Sequence, residues 1–123
     1  MGAGKASRRS GDDAEHVARR FLESQGLATV GRNYRTRGGE IDLIMRDGEV
    51  IVFVEVRFRT SSSFMAPADS IDSRKRSRII QASRHYLQGR RMMDKALCRF
   101  DVVLISGPGR EQEIEWIKDA FGA

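Results

Sequence analysis

The sequence is poor in the residues that support several common kinds of functional site. Its 123 residues include one cysteine, Cys98, and two histidines, His16 and His85. A single cysteine excludes a disulfide within the chain and a thiolate metal cluster, and it fits a reducing, cytoplasmic setting. No run of about 18 apolar residues is present, so no membrane-spanning helix is predicted. The histidines lie in different predicted helices without ligand spacing, and we expect both at the surface.

Motifs typical of nucleophilic and nucleotide-binding enzymes are also missing. The sequence has no G-x-S-x-G, no Walker-type glycine-rich loop and no G-x-G-x-x-G. Cys98 lies inside a strand pattern, so we expect it to pack as a small apolar side chain rather than to act as a nucleophile. The remaining residues support one kind of enzymatic chemistry, that of carboxylate-bound metal ions.

Hydrophobic periodicity predicts one α/β domain. Two helices and five strands follow one another in the order αβββαββ, which is typical of a mixed central β-sheet flanked by helices. The predicted helices cover residues 12–25 and 73–88, and the predicted strands cover 27–35, a hairpin at 39–59, 97–106 and 113–117, followed by a tail. The basic start of the chain has no apolar stretch, so residues 1–10 are interpreted as a disordered lead-in to a single domain at 11–123, and 60–67 as a mobile loop.

The hairpin GEIDLIMRDGEVIVFVEVRFR carries the most distinctive pattern. Asp47-Gly48 is a favoured two-residue turn, and closing the chain there places Glu40 opposite Glu55, with Asp42 diagonal to Glu55. One face of the hairpin is then wholly apolar, whereas the other is apolar near the turn and ionic at the open end.

Three carboxylates at one end of a hairpin repel one another. A divalent cation relieves this repulsion, since Mg²⁺ prefers one or two carboxylates together with substrate phosphates. The alternative is a solvated sheet end whose acids pair with nearby arginines, which are Arg35, Arg37, Arg57 and Arg59. The hairpin by itself leaves both interpretations open.

Positive charge is concentrated in the second predicted helix. The chain has a net charge of +5, and residues 71–91 contain seven Lys/Arg against one acid, Asp72. A run of charge usually forms a solvated helix face, but an imbalance of this size favours phosphate binding.

Four sequence blocks carry a resemblance to a known family. The strings GGEIDLI at 38–44, VFVEVRFR at 52–59, IDSRKRSRI at 71–79 and RFDVV at 99–103 closely resemble the bacterial YraN-like family, in the same order along residues 11–117. That family is similar to the PD-(D/E)xK nuclease superfamily and to archaeal Holliday-junction resolvases. The resemblance implies a restriction-endonuclease-like fold.

The resemblance also implies roles for individual residues. Asp42 matches the metal-binding aspartate, Glu55 matches the acid of the E-x-K motif, and the main-chain carbonyl of Val56 is an expected further ligand. Glu15 falls where the superfamily often has a helix-one glutamate. Glu40, Lys75 and Asp101 lie in family motifs without an assigned role, with Glu40 open to serve as an extra ligand or to pair with an arginine.

Arg57 departs from the family pattern, which usually has lysine there. Arginine does not release its proton at working pH, so it cannot act as a general base, although it can hold a phosphate oxygen. Together these features predict a Mg²⁺- or Mn²⁺-dependent nuclease for branched or otherwise structured DNA, with Asp42, Glu55, Arg57 and Glu15 as catalytic residues. The expected DNA contacts are Arg59, Arg74, Lys75, Arg76 and Arg78. The alternatives are a nucleic-acid-binding module of the same fold that does not cleave, and a protein-interaction domain.

Overall fold

The computed structural model describes residues 3–59, 71–91, 97–107 and 112–122; for residues 3–12 and for Arg59 only the main chain is described. The elements are α1 (Ala3–Ser24), β1 (Ala28–Thr36), β2 (Gly39–Asp47), β3 (Val50–Arg59), α2 (Ser73–Gly89), β4 (Leu97–Ser106) and β5 (Glu113–Phe121). The predicted order αβββαββ and the α/β class are confirmed. The segment 60–67, most of the connection between α2 and β4, and the centre of the turn at Pro108 lie outside the described residues.

A five-stranded mixed sheet forms the centre of the protein. The strand order is β1-β2-β3-β4-β5, and every neighbouring pair is antiparallel except β3 and β4. The parallel pair requires a crossover connection, which contains α2. Helix α1 packs on one face of the sheet and α2 packs on the other. This arrangement is consistent with a restriction-endonuclease-like fold, and β2, β3 and β4 are its interior strands.

Hydrophobic periodicity predicts an apolar stripe on each helix, and both stripes pack against the sheet. The predicted stripes are Ala14, Val17, Ala18, Phe21 and Leu22 on α1, and Ile79, Ala82, Ser83, Tyr86 and Leu87 on α2. In α1, Ala14, Ala18 and Leu22 are buried against the sheet. In α2 the buried residues are Ile79, Ala82, Ser83, Tyr86 and Leu87. Neither helix is long and apolar enough to cross a membrane, within the part of the chain that the structure describes.

Helix α1 begins earlier than predicted. It starts at Ala3 rather than near Asp12 and so runs through Gly11. A glycine inside a helix costs about 1 kcal/mol relative to alanine, and the alanine, lysine and arginine residues before Gly11 are good helix formers. The division into a lead-in and a domain at 11–123 stays a prediction. The helix ends as expected, because Gly26 has a φ of 100° and the N–H of Leu27 donates to the carbonyl of Leu22.

The hairpin register differs from the prediction by two residues. Asp47 pairs with Val50, so the turn residues are Gly48 and Glu49 rather than Asp47 and Gly48. Gly48 has a φ of 63°, and Glu49 is not among the described residues with positive φ. A single positive φ at the first turn position is the pattern of a type II′ turn, whereas the predicted type I′ turn requires two. The shift by two leaves each side chain on its predicted face but changes its partner.

Two further predictions about the last strands are corrected. Strand β5 does not end at Ile117 but continues to Phe121, because a register shift lets the N–H of Asp119 donate to the buried Asp101 carboxylate at 2.9 Å. Cys98 is exposed rather than packed in the core. The described pairing of β4 with β5 begins at Phe100, so Cys98 precedes the part of β4 that has a neighbouring strand on each side.

Candidate active site

A cleft of about 370 Å³ opens where β2, β3, α1 and α2 meet. Its lining contains six of the residues that the sequence singled out: Glu15, Asp42, Glu55, Val56, Arg57 and Lys75. Ala14 and Phe58 complete the lining. Because these residues come from four separate elements, the tertiary fold brings together side chains that the motifs place far apart in the chain.

Asp42 lies where β2 and β3 separate. The described ladder between these strands ends at Leu43 and Val54. Beyond that pair the Asp42 carboxylate accepts a hydrogen bond of 2.8 Å from the N–H of Val56. In a strand, the N–H and carbonyl of one residue point toward the same neighbouring strand. The Val56 carbonyl is therefore directed toward the gap that Asp42 occupies.

Glu55 is a buried acid with two cationic neighbours. Its side chain is 4% exposed, and Oε2 lies 3.2 Å from Lys75 Nζ and 3.7 Å from an Arg57 guanidinium nitrogen. Burial raises the pKa of Glu55 to about 8, helped by the negative charge of Asp42 and by a hydrogen bond with its carboxylate, while Lys75 opposes the rise. At neutral pH the protonated form of Glu55 is therefore favoured.

The packing of α2 against the start of β2 positions Lys75. The sequence offers Ser70 or Asp72 as the cap of this helix, and Asp72 takes that role by accepting a 2.8 Å hydrogen bond from the Lys75 N–H. On the β2 side of this contact, a methyl group on Gly39 would overlap the main-chain carbonyl of Arg78. Glycine at position 39 thus allows α2 to approach β2, and this approach places Lys75 beside the strand that carries Asp42.

Glu15 reaches the same cleft from α1. It is half-buried and lies next to Ala14, which packs in the core. The structure therefore places Glu15 with the cleft residues.

The donor atoms in the cleft fit a hard divalent cation. Within the described residues no group of three or more His, Cys, Asp or Glu side chains is arranged to hold a metal ion. Mg²⁺, however, is usually bound by only one or two carboxylates with waters and phosphates. Asp42 and Glu55 supply two carboxylates, and burial together with the charge of Asp42 raises the pKa of Glu55; a cation would take the place of the proton that Glu55 holds. The Val56 carbonyl and Glu15 are the further oxygen donors in the cleft.

The other predicted DNA contacts do not all remain available. Arg74 and Arg78 are exposed on α2. Arg76 is half-buried, and its Nε donates to the carbonyl of Ile71 at 3.0 Å. The side chain of Arg59 lies outside the described part of the chain. The exposed basic surface of the first half of α2 is therefore narrower than the sequence predicted.

Two acids with open roles lie outside the cleft. Glu40 lies opposite Arg35 in the pairing of β1 with β2, and the two side chains form an ion pair of 3.4 Å. Glu40 therefore pairs with an arginine rather than serving as an extra metal ligand. Asp101 is fully buried in β4 and accepts hydrogen bonds from Arg99, Trp116 and the main chain of Asp119. Its role is structural. The lone acid among the apolar residues of β4 was a signal for such a buried network.

Comparisons with known proteins point to one family. The model of a family described as "Uncharacterised protein family UPF0102" matches residues 14–105. A UPF0102 protein of Nitrosomonas europaea is 54% identical over 111 residues, which cover 90% of this chain and 92% of the relative. One from Methylobacillus flagellatus is 50% identical over 113 residues, covering 92% and 96%. One from Klebsiella pneumoniae is 46% identical over 121 residues, covering 98% and 91%.

Proposed function

The chain belongs to the uncharacterised protein family UPF0102, the YraN-like family of PD-(D/E)xK nuclease-like proteins that its motifs resemble, and we propose that it is a metal-dependent nuclease that hydrolyses phosphodiester bonds of DNA. The observation that carries this proposal is the Asp42–Glu55 carboxylate pair in a cleft lined by two cationic side chains. Branched or otherwise structured DNA is the substrate that the resemblance favours.

Asp42 and Glu55 would hold Mg²⁺ or Mn²⁺, with the Val56 carbonyl and Glu15 as further oxygen donors. When bound, such an ion lowers the pKa of a coordinated water and stabilises charge on the scissile phosphate. For this to occur Glu55 must give up the proton that it holds with Asp42. The acid pair therefore couples metal binding to proton release.

Arg57 and Lys75 are the phosphate-binding groups of the cleft. Both contact Oε2 of Glu55, and both carry hydrogen-bond donors that match phosphate oxygens. They hold the substrate phosphate beside the carboxylates and stabilise the charge that develops on it. Arg57 does not remove a proton from the attacking water, since a guanidinium group does not give up its own proton at working pH.

The second candidate is a nucleic-acid-binding module that does not cleave. The identity of residue 57 favours it, because arginine stands where the family usually has the lysine that is thought to activate water. The exposed arginines of α2 serve this function as well as they serve a nuclease.

Cleavage assays with matched variants test the proposal. Branched, single-stranded and duplex DNA are incubated with the wild-type protein in Mg²⁺, Mn²⁺ or EDTA. We expect Asp42→Asn and Glu55→Gln to lower cleavage at least 100-fold. Glu40→Gln is the control, because Glu40 lies on the same hairpin but pairs with Arg35 outside the cleft. Equal cleavage by all three variants would contradict the nuclease proposal and indicate a contaminating enzyme.

A further inference from the structure

A second groove, of about 320 Å³, lies between the C-terminal half of α2 and the turn that joins β1 to β2. Its polar lining consists chiefly of Arg37, Gln81, Arg84, His85 and Gln88. It shares no lining residue with the cleft of Asp42 and Glu55. The groove is therefore a separate surface, and its polar lining residues lie outside the sequence blocks that resemble the family.

The groove presents donors without any acid. Arg37 and Arg84 are exposed, and neither forms an ion pair with a carboxylate in the described part of the chain. The Tyr34 hydroxyl lies 2.6 Å from Nδ1 of His85. When the hydroxyl donates to that nitrogen, the neutral ring carries its hydrogen on Nε2 and offers a further donor. Two guanidinium groups, an imidazole and two side-chain amides suit an anion with several acceptor oxygens.

A stripe of exposed residues on α2 leads to this groove. Arg74, Arg78, Gln81, His85 and Gln88 recur at i, i+4, i+7, i+11 and i+14, so they lie on one side of the helix. All five are exposed. The sequence of α2 contains five Lys/Arg and no Asp or Glu. The stripe therefore forms a continuous acid-free path from the end of the helix that carries Lys75.

We infer that this groove is a second phosphate-binding site, which holds the backbone of a DNA duplex at a distance from the cleft. The inference rests on the proposed function and extends it. Arg84 lies nine residues after Lys75, so the two are roughly 14 Å apart along the helix axis at about 1.5 Å per residue. Arg37 and Arg84 thus each contact a duplex phosphate other than the one in the cleft.

Duplex binding in EDTA tests the inference without depending on cleavage. Fluorescence anisotropy with a labelled 20-base-pair duplex is measured over a series of salt concentrations for the full chain. The test variant is Arg37→Ala/Arg84→Ala. The control variant is Arg20→Ala/Arg46→Ala, which changes the net charge equally at exposed positions on α1 and β2 that do not line the groove.

We expect the groove variant to reduce the slope of log K against log salt by roughly 1.8, which is about 0.9 for each phosphate that the variant no longer neutralises. Affinity near 0.1 M salt should then fall between about tenfold and a hundredfold, and the control variant should bind like wild type. Two results would refute the groove and leave the proposed function intact. In the first, the groove variant and the control variant lose affinity equally. In the second, the groove variant binds like wild type while Arg74→Ala/Arg78→Ala binds the duplex more weakly. Tight, salt-sensitive binding of an acidic peptide in place of DNA would refute it in favour of a protein partner. Absence of duplex binding by the wild-type protein would refute the groove, whereas the cleavage assay on branched DNA decides the proposed function separately.

Discussion

Replacing Glu55 by glutamine should make the stability of the protein less dependent on pH. In the folded state the pKa of Glu55 is about 8, against an ordinary value of 4.5, chiefly because the carboxyl group is buried. The native state therefore binds a proton that the unfolded state lacks between these two values. The stabilisation is complete below pH about 4.5 and is lost as the pH rises through about 8.

The magnitude follows from the difference of about 3.5 pKa units. At about 1.4 kcal/mol per unit, the free energy of unfolding falls by on the order of 5 kcal/mol across this window. Because Glu55 is only 4% exposed, solvent screening reduces this figure little. Glutamine resembles the protonated acid and does not titrate, so Glu55→Gln should lose none of this contribution.

The assay is urea unfolding in EDTA at pH 5, 6, 7, 8 and 9. Relative to Glu55→Gln, the wild-type protein should lose about 1.4 kcal/mol per pH unit up to pH about 8. Glu40→Gln, which alters an exposed ion pair, should follow the wild type. Mn²⁺ at pH 8 should stabilise the wild type more than Glu55→Gln. Parallel pH curves for the wild type and Glu55→Gln would refute the reasoning about the buried acid pair.

Substitutions of Arg57, Asp101 and Gly39 test the remaining assignments. On a DNA substrate that the wild type cleaves with Mn²⁺, Arg57→Lys should cleave at about the wild-type rate and Arg57→Ala roughly 100-fold more slowly, since the proposed role is to bind phosphate; wild-type cleavage by Arg57→Ala would remove this residue from the mechanism. Asp101→Ala should lower the free energy of unfolding by about 3 kcal/mol in urea, because it leaves buried donors without their acceptor, and a decrease below about 1 kcal/mol would contradict the structural role. Gly39→Ala should lower the melting temperature measurably through its overlap with α2, whereas Gly89→Ala, with open space around position 89, should not; equal melting temperatures would contradict the close approach.

Local patterns in the sequence were sufficient for most of the fold. The buried stripe of α2, its Asp72 cap and the extent of β4 match the prediction because each depends on residues close together in the chain. The edge position of β5 follows in the same way from its amphipathic pattern. The residues that the family resemblance assigned to a site also lie together in one cleft. These features follow from periodicity, capping and motif order.

The hairpin register was not decided locally. Turn preference favours glycine with positive φ, but it does not distinguish Asp47-Gly48 from Gly48-Glu49 when both leave the same faces buried. In the folded protein Asp47 pairs with Val50 and its carboxylate lies 3.0 Å from Arg99. That ion pair comes from β4, which is remote in sequence, so the register depends on the neighbouring strand.

The chemistry of the cleft likewise depends on tertiary structure. In the sequence, the acids Asp42 and Glu55 and the cationic Lys75 lie in three separate motifs. Only the packing of α2 against β2, which Gly39 permits, places the Lys75 ammonium 3.2 Å from Glu55. The pKa of that acid rises only in the folded protein, chiefly because the carboxyl group is buried there. A pKa is a property of the surroundings of a group, and those surroundings exist only once distant segments of the chain have come together.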